Sequence, residues 1–546
     1  MNTRSYGDPS YAIFVGERRK LHQDKYYRPT LKQQGYFPVR YLVSLLAFLG
    51  LMFSTMIISN VNLTMPYMVD RNITPIEDGC VSNNSYTDIE QDAHFKWDID
   101  SQELVLGSFF WVYYWTALPG GRLSELLGPK RLIGISMTIA SVLSLLIPVA
   151  AEFSYIILID IRILMGLLLG VIYPSMITIA ANWSPPHERS TITSIIWAGG
   201  LLGLAIGFGI TGPIANSIGW DSVFYIEGSV SLAWCVAWAL VFADKPEHCK
   251  YISKAERIYL ATTIGEQKDE QPQSIPAKSV IRCIGVWAAF ISTLANVWGL
   301  SILLVDIPYY LSSMLHLNQE KSAEVFIVGL VLAIIISLIS GVASDYNIRH
   351  GVLSTTATRK IANTIGHLGT SICLIIIPYV ECDASAVAAL VVLALGFQGL
   401  TPIGHVANLI DLAPNYAGSL AGFTTMFGVL PGFLSPLTSA LLTEDMQSFD
   451  QWSKVFYITF GIYLADVLFF VIFASGEVQP WNKVAPVQED NNQWVMTRFG
   501  SEDDPDGIVG NKAKSKGIHR SKSYGGRQVM SSFKRSFEKP GIPETY

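Results

Sequence analysis

Long apolar runs separated by short polar segments recur along the whole chain. Residues 41–65 and 191–214 form two of these runs, and each has at least the roughly 20 residues that a helix needs to cross about 30 Å of hydrocarbon. Twelve such runs occur, six on each side of a polar middle segment. The predicted spans begin near Tyr41, Leu104, Leu132, Tyr155, Thr191, Val223, Ile281, Ala323, Ile361, Ala384, Gly418 and Val455. Because open strand edges cannot face lipid, this pattern predicts an all-α membrane protein of twelve transmembrane helices.

Composition and charge agree with this reading and argue against a soluble domain. Half of the 546 residues are hydrophobic and only 15% are charged, whereas a soluble domain has roughly 25% charged residues. An alternating path through twelve spans places 33 of the 38 Lys and Arg residues on one side and four on the other. The positive-inside rule therefore predicts that both termini are cytoplasmic. No apolar core precedes a cleavage site near the start, so we expect no removable signal peptide.

The runs also predict how the chain is organised. The predicted segments are a cytoplasmic tail (1–40), a first six-helix half (41–243), a cytoplasmic middle loop (244–280), a second six-helix half (281–475) and a cytoplasmic basic tail (476–546). The last of these is rich in Ser, Gly and charged residues and cannot bury a core, so we expect it to be disordered.

Segment 70–103 is predicted to lie on the lumenal or extracellular side. It contains glycosylation sequons at Asn72 and Asn83. Cys80 falls in the same segment, and Cys382 is predicted on the same side of the membrane. A disulfide between them is one interpretation and two separate thiols is the other, because the sequence does not show whether the two residues approach each other.

A short motif that runs from a glycine to an acid occurs once in each half. Gly121-Arg-Leu-Ser-Glu125 follows the second predicted span, and Gly341-Val-Ala-Ser-Asp345 follows the eighth. Basic residues come next, Lys130 and Arg131 in the first copy. The first copy resembles the signature loop of the major facilitator superfamily, whose fold has two six-helix pseudo-repeats with the substrate between them. We interpret these residues as a conformational latch between the halves; the alternative is a basic loop that only sets topology.

Longer motifs resemble one family within that superfamily, solute carrier family 17. They include Gly107-Ser-Phe-Phe-Trp-Val-Tyr113, the stretch from Arg162 to Pro174, Trp183-Ser-Pro-Pro-His-Glu-Arg-Ser190 and Gly219-Trp-Asp-Ser-Val-Phe-Tyr225. The resemblance covers roughly residues 41–481. It implies anion transport coupled to protons, sodium or the membrane potential.

Arg162 is the first candidate for binding an anion. It lies inside the fourth predicted span, where a charge is costly unless it faces a cavity or a partner. The alternative role is a structural ion pair with Asp160 or Glu227. Asp160 is two residues away and points to another helix face, which argues against a local pair.

The chain departs from the glutamate and sialic-acid carriers of this family at several charged positions. Where those relatives have an arginine near the end of the first span, residues 59–64 read Ser-Asn-Val-Asn-Leu-Thr. Leu169 stands where those relatives have an acid after the fourth-span arginine, and Leu106 stands where they have a histidine before the Gly-Ser-Phe-Phe-Trp motif. Fewer charge-assisted bonds argue against a dicarboxylate substrate and favour the phosphate and organic-anion branch.

Other polar and aromatic residues within the spans are candidates for the substrate passage and for coupling. Amides can donate to an anion and aromatic rings can line a passage, although both also serve ordinary helix packing. The predicted substrate-binding residues are Arg162, Asn60, Asn62, Tyr113, Tyr173, Asn296, Trp298 and Asn408. The predicted coupling residues, which can exchange a proton or hold a cation, are His367, His405 and Asp466.

The sequence therefore predicts a secondary active transporter that moves organic anions or inorganic phosphate by alternating access, coupled to sodium or protons. A non-transporting receptor or scaffold on the same fold is the first alternative, and a vesicular carrier of acidic amino acids or sialic acid is the second. No metal-ligand spacing or nucleophile motif is present, so we expect no enzyme activity, no cofactor and no nucleic-acid partner. The expected partners are a small anion, a coupling cation and the lipid of a plasma, vesicle or lysosome membrane.

Overall fold

A computed structural model describes residues 38–69, 94–264, 274–443 and 448–482. Within these ranges the chain is helical, and the only β-type pairing is an isolated parallel bridge between Val69 and Phe95. Asn72, Asn83, Cys80 and most of both tails lie outside the described residues, so the predictions for them stay predictions. The predicted bounds of the tails are wrong at their inner edges: the first helix already includes Arg40, and residues 476–482 pack back on the protein, where the Gln479 backbone N–H donates to the Leu412 backbone oxygen at 2.9 Å. Cys382 is disulfide-bonded.

Twelve long helices follow one another along the described chain, as the hydrophobic pattern predicts. In the first half they are α1 (Val39–Met68), α2 (Ile99–Leu127), α3 (Pro129–Phe153), α4 (Tyr155–Trp183), α5 (Arg189–Ile218) and α6 (Asp221–Val241). In the second half they are α7 (Ile284–Ser313), α8 (Gln319–Arg349), α9 (Thr355–Val380), α10 (Ala384–Leu412), α11 (Pro414–Thr443) and α12 (Phe449–Phe473). Eleven of the described helices are long and apolar enough to cross a membrane; α2 is less apolar because its centre carries Trp and Tyr side chains.

Several helices begin earlier than the hydrophobic runs do. Helix α9 begins at Thr355 although its apolar run begins near Ile361, and α8 and α12 likewise begin four to six residues before their runs. The reason is N-terminal capping: Ser354 accepts a hydrogen bond from the Ala357 backbone N–H, and Asn318 accepts one from Lys321. A polar first turn is thus part of the helix at the membrane boundary.

Helices α7 and α10 are both interrupted about two-thirds of the way along. Each contains a π-helical turn, Ile302–Asp306 in α7 and Pro402–Val406 in α10. Gly404 in the second turn has a non-helical ψ of −107°. Such turns leave backbone groups free of the regular ladder and often occur at functional sites. The break in α10 places His405 at the point where the helix changes direction.

Small residues allow the closest helix contacts. A Cβ atom on Gly199 of α5 would lie 2.0 Å from the backbone oxygen of Phe48 in α1, and one on Gly203 would lie 2.3 Å from that of Met52. Glycines therefore bring the α1 and α5 backbones together, as expected for packing in lipid. Helix α5 also packs along α8, and α2 packs along α11, so these two pairs join the two halves.

Candidate functional site

The Arg162 side chain is fully buried in the first half. Its Nη2 atom lies 3.4 Å from the Asn62 side-chain oxygen, and its guanidinium carbon lies 4.8 Å from the centre of the Phe109 ring. Its Nε and Nη1 atoms have no hydrogen-bond partner among the described residues, and no described ion pair includes Arg162. The structural pair with Asp160 or Glu227 is thus absent from the described contacts. A buried guanidinium with unused donors is suited to bind an anion.

One aromatic side chain of α2, Phe109, contacts this arginine, and further aromatic side chains lie on α2 and α4. The Phe109 and Tyr113 ring centres are 5.3 Å apart, so the stack continues from the Arg162 contact along α2. Tyr173 of α4 packs edge-on against Trp197 of α5, with ring centres 5.1 Å apart. Tyr113 and Tyr173 are both half-buried. The predicted aromatic candidates of the first half therefore lie on the two helices that carry or contact Arg162.

The two asparagines of α1 lie in different environments. Asn62 is exposed and faces Arg162, whereas Asn60 is fully buried and donates to the Ser144 hydroxyl of α3 at 3.2 Å. Residues two positions apart point to nearly opposite sides of a helix. The structure thus brings Asn62 to the arginine and places Asn60 in the packing between α1 and α3.

In the second half, polar side chains form a hydrogen-bonded chain between helices. The Asn296 amide donates to the Gln398 oxygen at 2.9 Å, and the Gln398 amide donates to the Tyr463 hydroxyl at 2.7 Å. Trp298 donates its indole N–H to Thr459 at 3.1 Å. Asn296 and Trp298 are therefore held by partners in α10 and α12, and a role in substrate binding would require them to exchange these bonds.

The three predicted coupling residues lie together although three different helices carry them. The His367 Nδ1 atom is 2.5 Å from an Asp466 carboxylate oxygen, and the His367 and His405 rings are 5.9 Å apart. Asn363 also donates to Asp466, at 3.2 Å. One nitrogen of each histidine and the second oxygen of Asp466 have no partner in the described part of the chain. The structure therefore brings the three predicted coupling residues together in the interior of the second half.

The Asp466 side chain also reaches a cavity of about 340 Å³ between α7, α11 and α12. Apolar side chains form most of its wall, and Trp298 contributes one edge. Asn408, by contrast, lies near the end of α10, where its amide donates to the Ser475 backbone oxygen at 2.8 Å. The structure therefore groups Trp298 with the coupling residues and places Asn408 with the segment that follows α12.

The first copy of the latch motif joins α2 to the start of α11. The Glu125 carboxylate accepts hydrogen bonds from the Ser419 backbone N–H at 2.7 Å and from the Ser419 hydroxyl at 2.6 Å. Arg122 donates to the same carboxylate at 3.0 Å. A Cβ atom on Gly121 would lie only 2.0 Å from the Gly418 backbone oxygen, so a glycine is needed where the two helices cross. Glu125 thus caps a helix of the other half.

The second copy repeats this arrangement with the halves exchanged. Asp345 of α8 accepts from the backbone N–H groups of Ser190 at 3.0 Å and Thr191 at 2.7 Å, in the first turn of α5. A Cβ atom on Gly341 would lie 2.7 Å from the Ser194 hydroxyl. Each acid therefore satisfies N–H groups that a helix start leaves unpaired, and each does so across the boundary between the halves. We call the side of the protein that carries Glu125 and Asp345 the latch face.

The basic residues of the first motif have another contact. The Lys130 backbone N–H donates to the Asp244 carboxylate at 2.6 Å, at the start of α3. Burial raises the pKa of the Asp244 carboxyl, and Lys130 and the nearby Arg131 act in the opposite direction. Lys130 and Arg131 are thus grouped with Asp244, not with Glu125.

Sequence reasoning missed the strongest charge cluster at the latch face. The Asp411 carboxylate accepts from Arg189 at 2.6 Å and from Arg359 at 2.7 Å, and all three side chains are buried. Arg359 also donates to the Ser190 hydroxyl at 2.7 Å. Arg189 and Asp411 are 222 positions apart. The only signal for their contact in the sequence is that both lie near the ends of predicted spans.

A second buried cluster holds the start of α1 against the middle loop. Arg40 pairs with Glu188 at 2.7 Å and with Glu256 of the short helix Lys254–Thr263 at 3.0 Å. The Tyr259 hydroxyl donates to Glu188 at 3.3 Å, and burial together with the Glu188 charge raises the pKa of that hydroxyl. Arg349 of α8 lies 3.7 Å from Glu188 and links this cluster to the second half.

Comparison with known proteins agrees with this architecture. The sequence profile of the Major Facilitator Superfamily matches residues 47–436. The chain is similar to the proton:xylose symporter XylE, with a TM-score of 0.60 and 14% identity over 80% of this chain and 97% of that one. It is also similar to the Escherichia coli fucose:proton symporter FucP, with a TM-score of 0.54 and 12% identity over 79% and 99% of the two chains. At these identities the structural likeness establishes the fold.

The curated relatives are closer. The chain is 31% identical to human sialin over 81% of its own length and 90% of the relative's. It is 31% identical to the mouse sodium-dependent phosphate transport protein 3, over 72% of this chain and 82% of that protein. Human vesicular glutamate transporter 2 is 32% identical over 81% and 75% of the two chains. The paired helix halves, the repeated latch and these relatives together establish that the chain belongs to the major facilitator superfamily and, within it, to solute carrier family 17.

Proposed function

We propose that this protein is a secondary active transporter that carries a small organic anion or inorganic phosphate. The observation that carries the proposal is the Arg162 guanidinium, which is fully buried and has two nitrogens without a partner among the described residues. A buried charge costs several kcal/mol unless an opposite charge or hydrogen bonds compensate it, so a buried arginine in a span is stabilised by an anionic partner. An incoming anion can supply that partner.

The site favours a small anion with one charged group. Arg162 is accompanied by the Asn62 amide and by aromatic rings, and no second cation appears among its described contacts. Leu169 and Leu106 stand where the glutamate and sialic-acid carriers have charged or titratable side chains. We therefore place the phosphate and organic-anion substrates first. Sialic acid or an acidic amino acid is the second candidate, because relatives named for them share the fold and family.

We propose that the cluster of His367, His405 and Asp466 couples transport to a cation. The three side chains are buried, His367 of α9 lies between Asp466 of α12 and the His405 ring of α10, and each side chain has a polar atom without a partner among the described residues. Proton exchange at this cluster changes its net charge, and a moving charge is what links solute flux to a gradient. Sodium is the competing cation, with Asp466 as its ligand.

The latch supports alternating access. Glu125 and Asp345 each bond the helix start of the opposite half, which holds the latch face closed. The distribution of Lys and Arg assigns this face, with both termini, to the cytoplasm. Opening it would release both acids at once, so we propose that the two contacts break together when the halves rock apart.

Flux into proteoliposomes tests the proposal. Radiolabelled phosphate, sialic acid and glutamate are offered to the purified protein under imposed proton and sodium gradients. We expect Arg162→Ala to reduce uptake of the transported anion about 30- to 160-fold, because it removes charge-assisted hydrogen bonds of about 2–3 kcal/mol. Arg282→Ala, at an exposed arginine just before α7, is the matched control and should transport normally.

Two results would contradict the transport proposal, and a third would change its substrate class. Full uptake by Arg162→Ala would exclude the arginine as the anion site. An absence of flux for every anion and every gradient in the unmodified protein would favour a receptor or scaffold. Preference for glutamate or sialic acid over phosphate would replace the first substrate class by the second.

A further inference from the structure

The proposed function gives no role to Glu227, a buried acid of the first half. Glu227 lies in the middle of α6, and only 2% of its surface is exposed. Neither carboxyl oxygen has a hydrogen-bond partner within the described part of the chain. Every other buried Asp or Glu discussed above bonds a basic side chain, a histidine or a helix start.

The surroundings of Glu227 are polar but uncharged. Helices α1, α3 and α5 pack against α6. Asn60 of α1 lies beside the Glu227 carboxyl, and its amide donates to Ser144 of α3. One helical turn along α6, Ser231 accepts a hydrogen bond from Ser141 of α3 at 2.7 Å. A polar strip of one amide and three hydroxyls therefore runs between the helices next to the carboxyl.

No charged group compensates Glu227 from the helices packed against it. The charged residues of these helices lie at their ends, where Arg40 begins α1, Lys130 begins α3 and Arg189 begins α5. None of the ion pairs among the described residues includes Glu227, and the polar group beside its carboxyl is the uncharged Asn60 amide. An ionised carboxylate here would be buried without an opposite charge, which is strongly unfavourable.

We propose that Glu227 is a second proton-binding site of the transport cycle, occupied by a proton in the conformation described here and released from it in another. The proposal rests on the proposed transport function and adds a coupling group in the first half to the cluster of the second half. A neutral carboxylic acid needs no counter-charge, which explains why this side chain is tolerated in the packing between α1, α3 and α6.

Helix α1 connects this acid to the anion site. Asn60 lies beside Glu227, while Asn62, two positions further on, contacts Arg162 on the other side of the same helix. A rotation of α1 that follows anion binding at Arg162 would therefore also change the position of Asn60 against Glu227. Removal of the amide, or entry of water along the polar strip, then decides whether the acid keeps its proton.

A proton suits this site better than sodium does. Sodium requires several oxygen ligands around the carboxylate. The Asn60 side-chain oxygen accepts from the Val61 backbone N–H at 2.8 Å, and its amide nitrogen is directed to Ser144. No group of three or more metal-ligating residues occurs in the described ranges. The Ser141 and Ser231 hydroxyls bond each other, and the Ser144 hydroxyl accepts from Asn60, so a cation would have to displace these bonds to gather its ligands, whereas a proton needs none of them.

Infrared spectroscopy of the purified, full-length protein tests the protonation directly. The difference between the unmodified protein and Glu227→Gln should contain the C=O stretching band of a protonated carboxylic acid at neutral pH, shifted in deuterated water. The band should be lost at alkaline pH. Glu227→Met removes the same band and serves as a second variant if the first fails to fold. A carboxylate band at neutral pH, or a change on adding sodium at constant pH, would overturn the inference.

Steady-state accumulation tests the coupling. In proteoliposomes with a pH gradient, each coupled proton multiplies the accumulation ratio tenfold per pH unit. We expect Glu227→Gln to exchange labelled for unlabelled phosphate at a normal rate and to accumulate it about tenfold less per pH unit of gradient. Glu324→Gln, at an exposed glutamate of α8, is the control and should accumulate phosphate normally.

The two proposals fail in different ways. If the unmodified protein transports phosphate and Glu227→Gln accumulates it to the same ratio, the proton site is refuted and the transport function stands. If the unmodified protein moves no anion, the transport function is refuted, and the infrared band alone decides whether Glu227 binds a proton.

Discussion

Adding a single methyl group at Gly121 should open the latch face. In the structure, a Cβ atom on Gly121 would lie 2.0 Å from the Gly418 backbone oxygen and 2.7 Å from its carbonyl carbon. Ordinary van der Waals contact begins at about 3.5 Å, so the added Cβ atom would overlap the Gly418 oxygen by more than about 1 Å. Both neighbours are backbone atoms of helix α11, which cannot rotate away as a side chain would. Gly121→Ala therefore disfavours the crossing of α2 and α11 itself.

The size of the effect follows from packing energetics. Overfilled contacts cost about 1–3 kcal/mol, and a clash between two helix backbones belongs at the upper end. In the proposed cycle the crossing at Gly121 exists only while the latch face is closed, so the cost would fall on the closed state. About 3 kcal/mol shifts the ratio of closed to open protein roughly 100-fold. A population that is 99% closed would become about half open.

Distances between spin labels on the two halves measure this shift. Cysteines replacing Leu127, at the end of α2, and Val352, just after α8, are exposed and lie at the latch face in different halves. Cys283 is replaced by serine to avoid background labelling. Double electron–electron resonance should show a single short distance in the unmodified background and a second, longer distance in Gly121→Ala.

Gly461→Ala is the control, because a Cβ atom at Gly461 of α12 would have no atom within 4 Å. It should leave the distance distribution unchanged. If Gly121→Ala gave the same distribution as Gly461→Ala, the crossing of α2 and α11 would not control closure, and the interpretation of the repeated motif as a latch would be wrong.

Two further predictions concern thermal stability at the latch face. Asp411→Asn leaves Arg189 and Arg359 buried without their shared counter-charge, so we expect the free energy of unfolding to fall by about 3–5 kcal/mol. The Tm in detergent should be clearly lower, and an unchanged Tm would contradict a buried triad. Burial raises the pKa of Asp244, so ionising it costs folding energy as pH rises above its unfolded value of about 4. Asp244→Asn keeps an acceptor for the Lys130 N–H but does not ionise. The Tm of the variant minus the Tm of the unmodified protein should therefore be larger at pH 7 than at pH 4, and equal differences at the two pH values would refute this.

The contrast between Glu125 and Asp411 shows what the sequence could reveal about the latch. Glu125 was recognisable because its glycine-to-acid motif occurs again at Asp345, and repetition is visible along a single chain. Its actual partner, the start of α11, was not recognisable, and the neighbouring Lys130 turned out to contact Asp244 through its backbone. Asp411 belongs to no repeated motif, and its two arginines come from different halves.

In the candidate site too, the sequence identified individual residues but did not specify which of them are in contact. Arg162 was identifiable because a single charge inside an apolar run is costly wherever that helix packs. The neighbouring asparagines looked equivalent in the sequence, yet Asn62 contacts Arg162 and Asn60 lies beside Glu227. Their roles depend on the rotation of α1 about its own axis, which local composition does not specify.

The amino-acid sequence by itself determined the class of fold, the number of spans and the two-half organisation of this protein. Lipid offers no hydrogen bonds to the backbone, so each span must satisfy its own polar groups as a helix, and helix length and apolarity can be read locally. Only the tertiary structure decided which buried polar groups meet. Those contacts depend on crossing points and helix rotations set by packing between residues that are often more than a hundred positions apart, and small shifts in that packing exchange one partner for another.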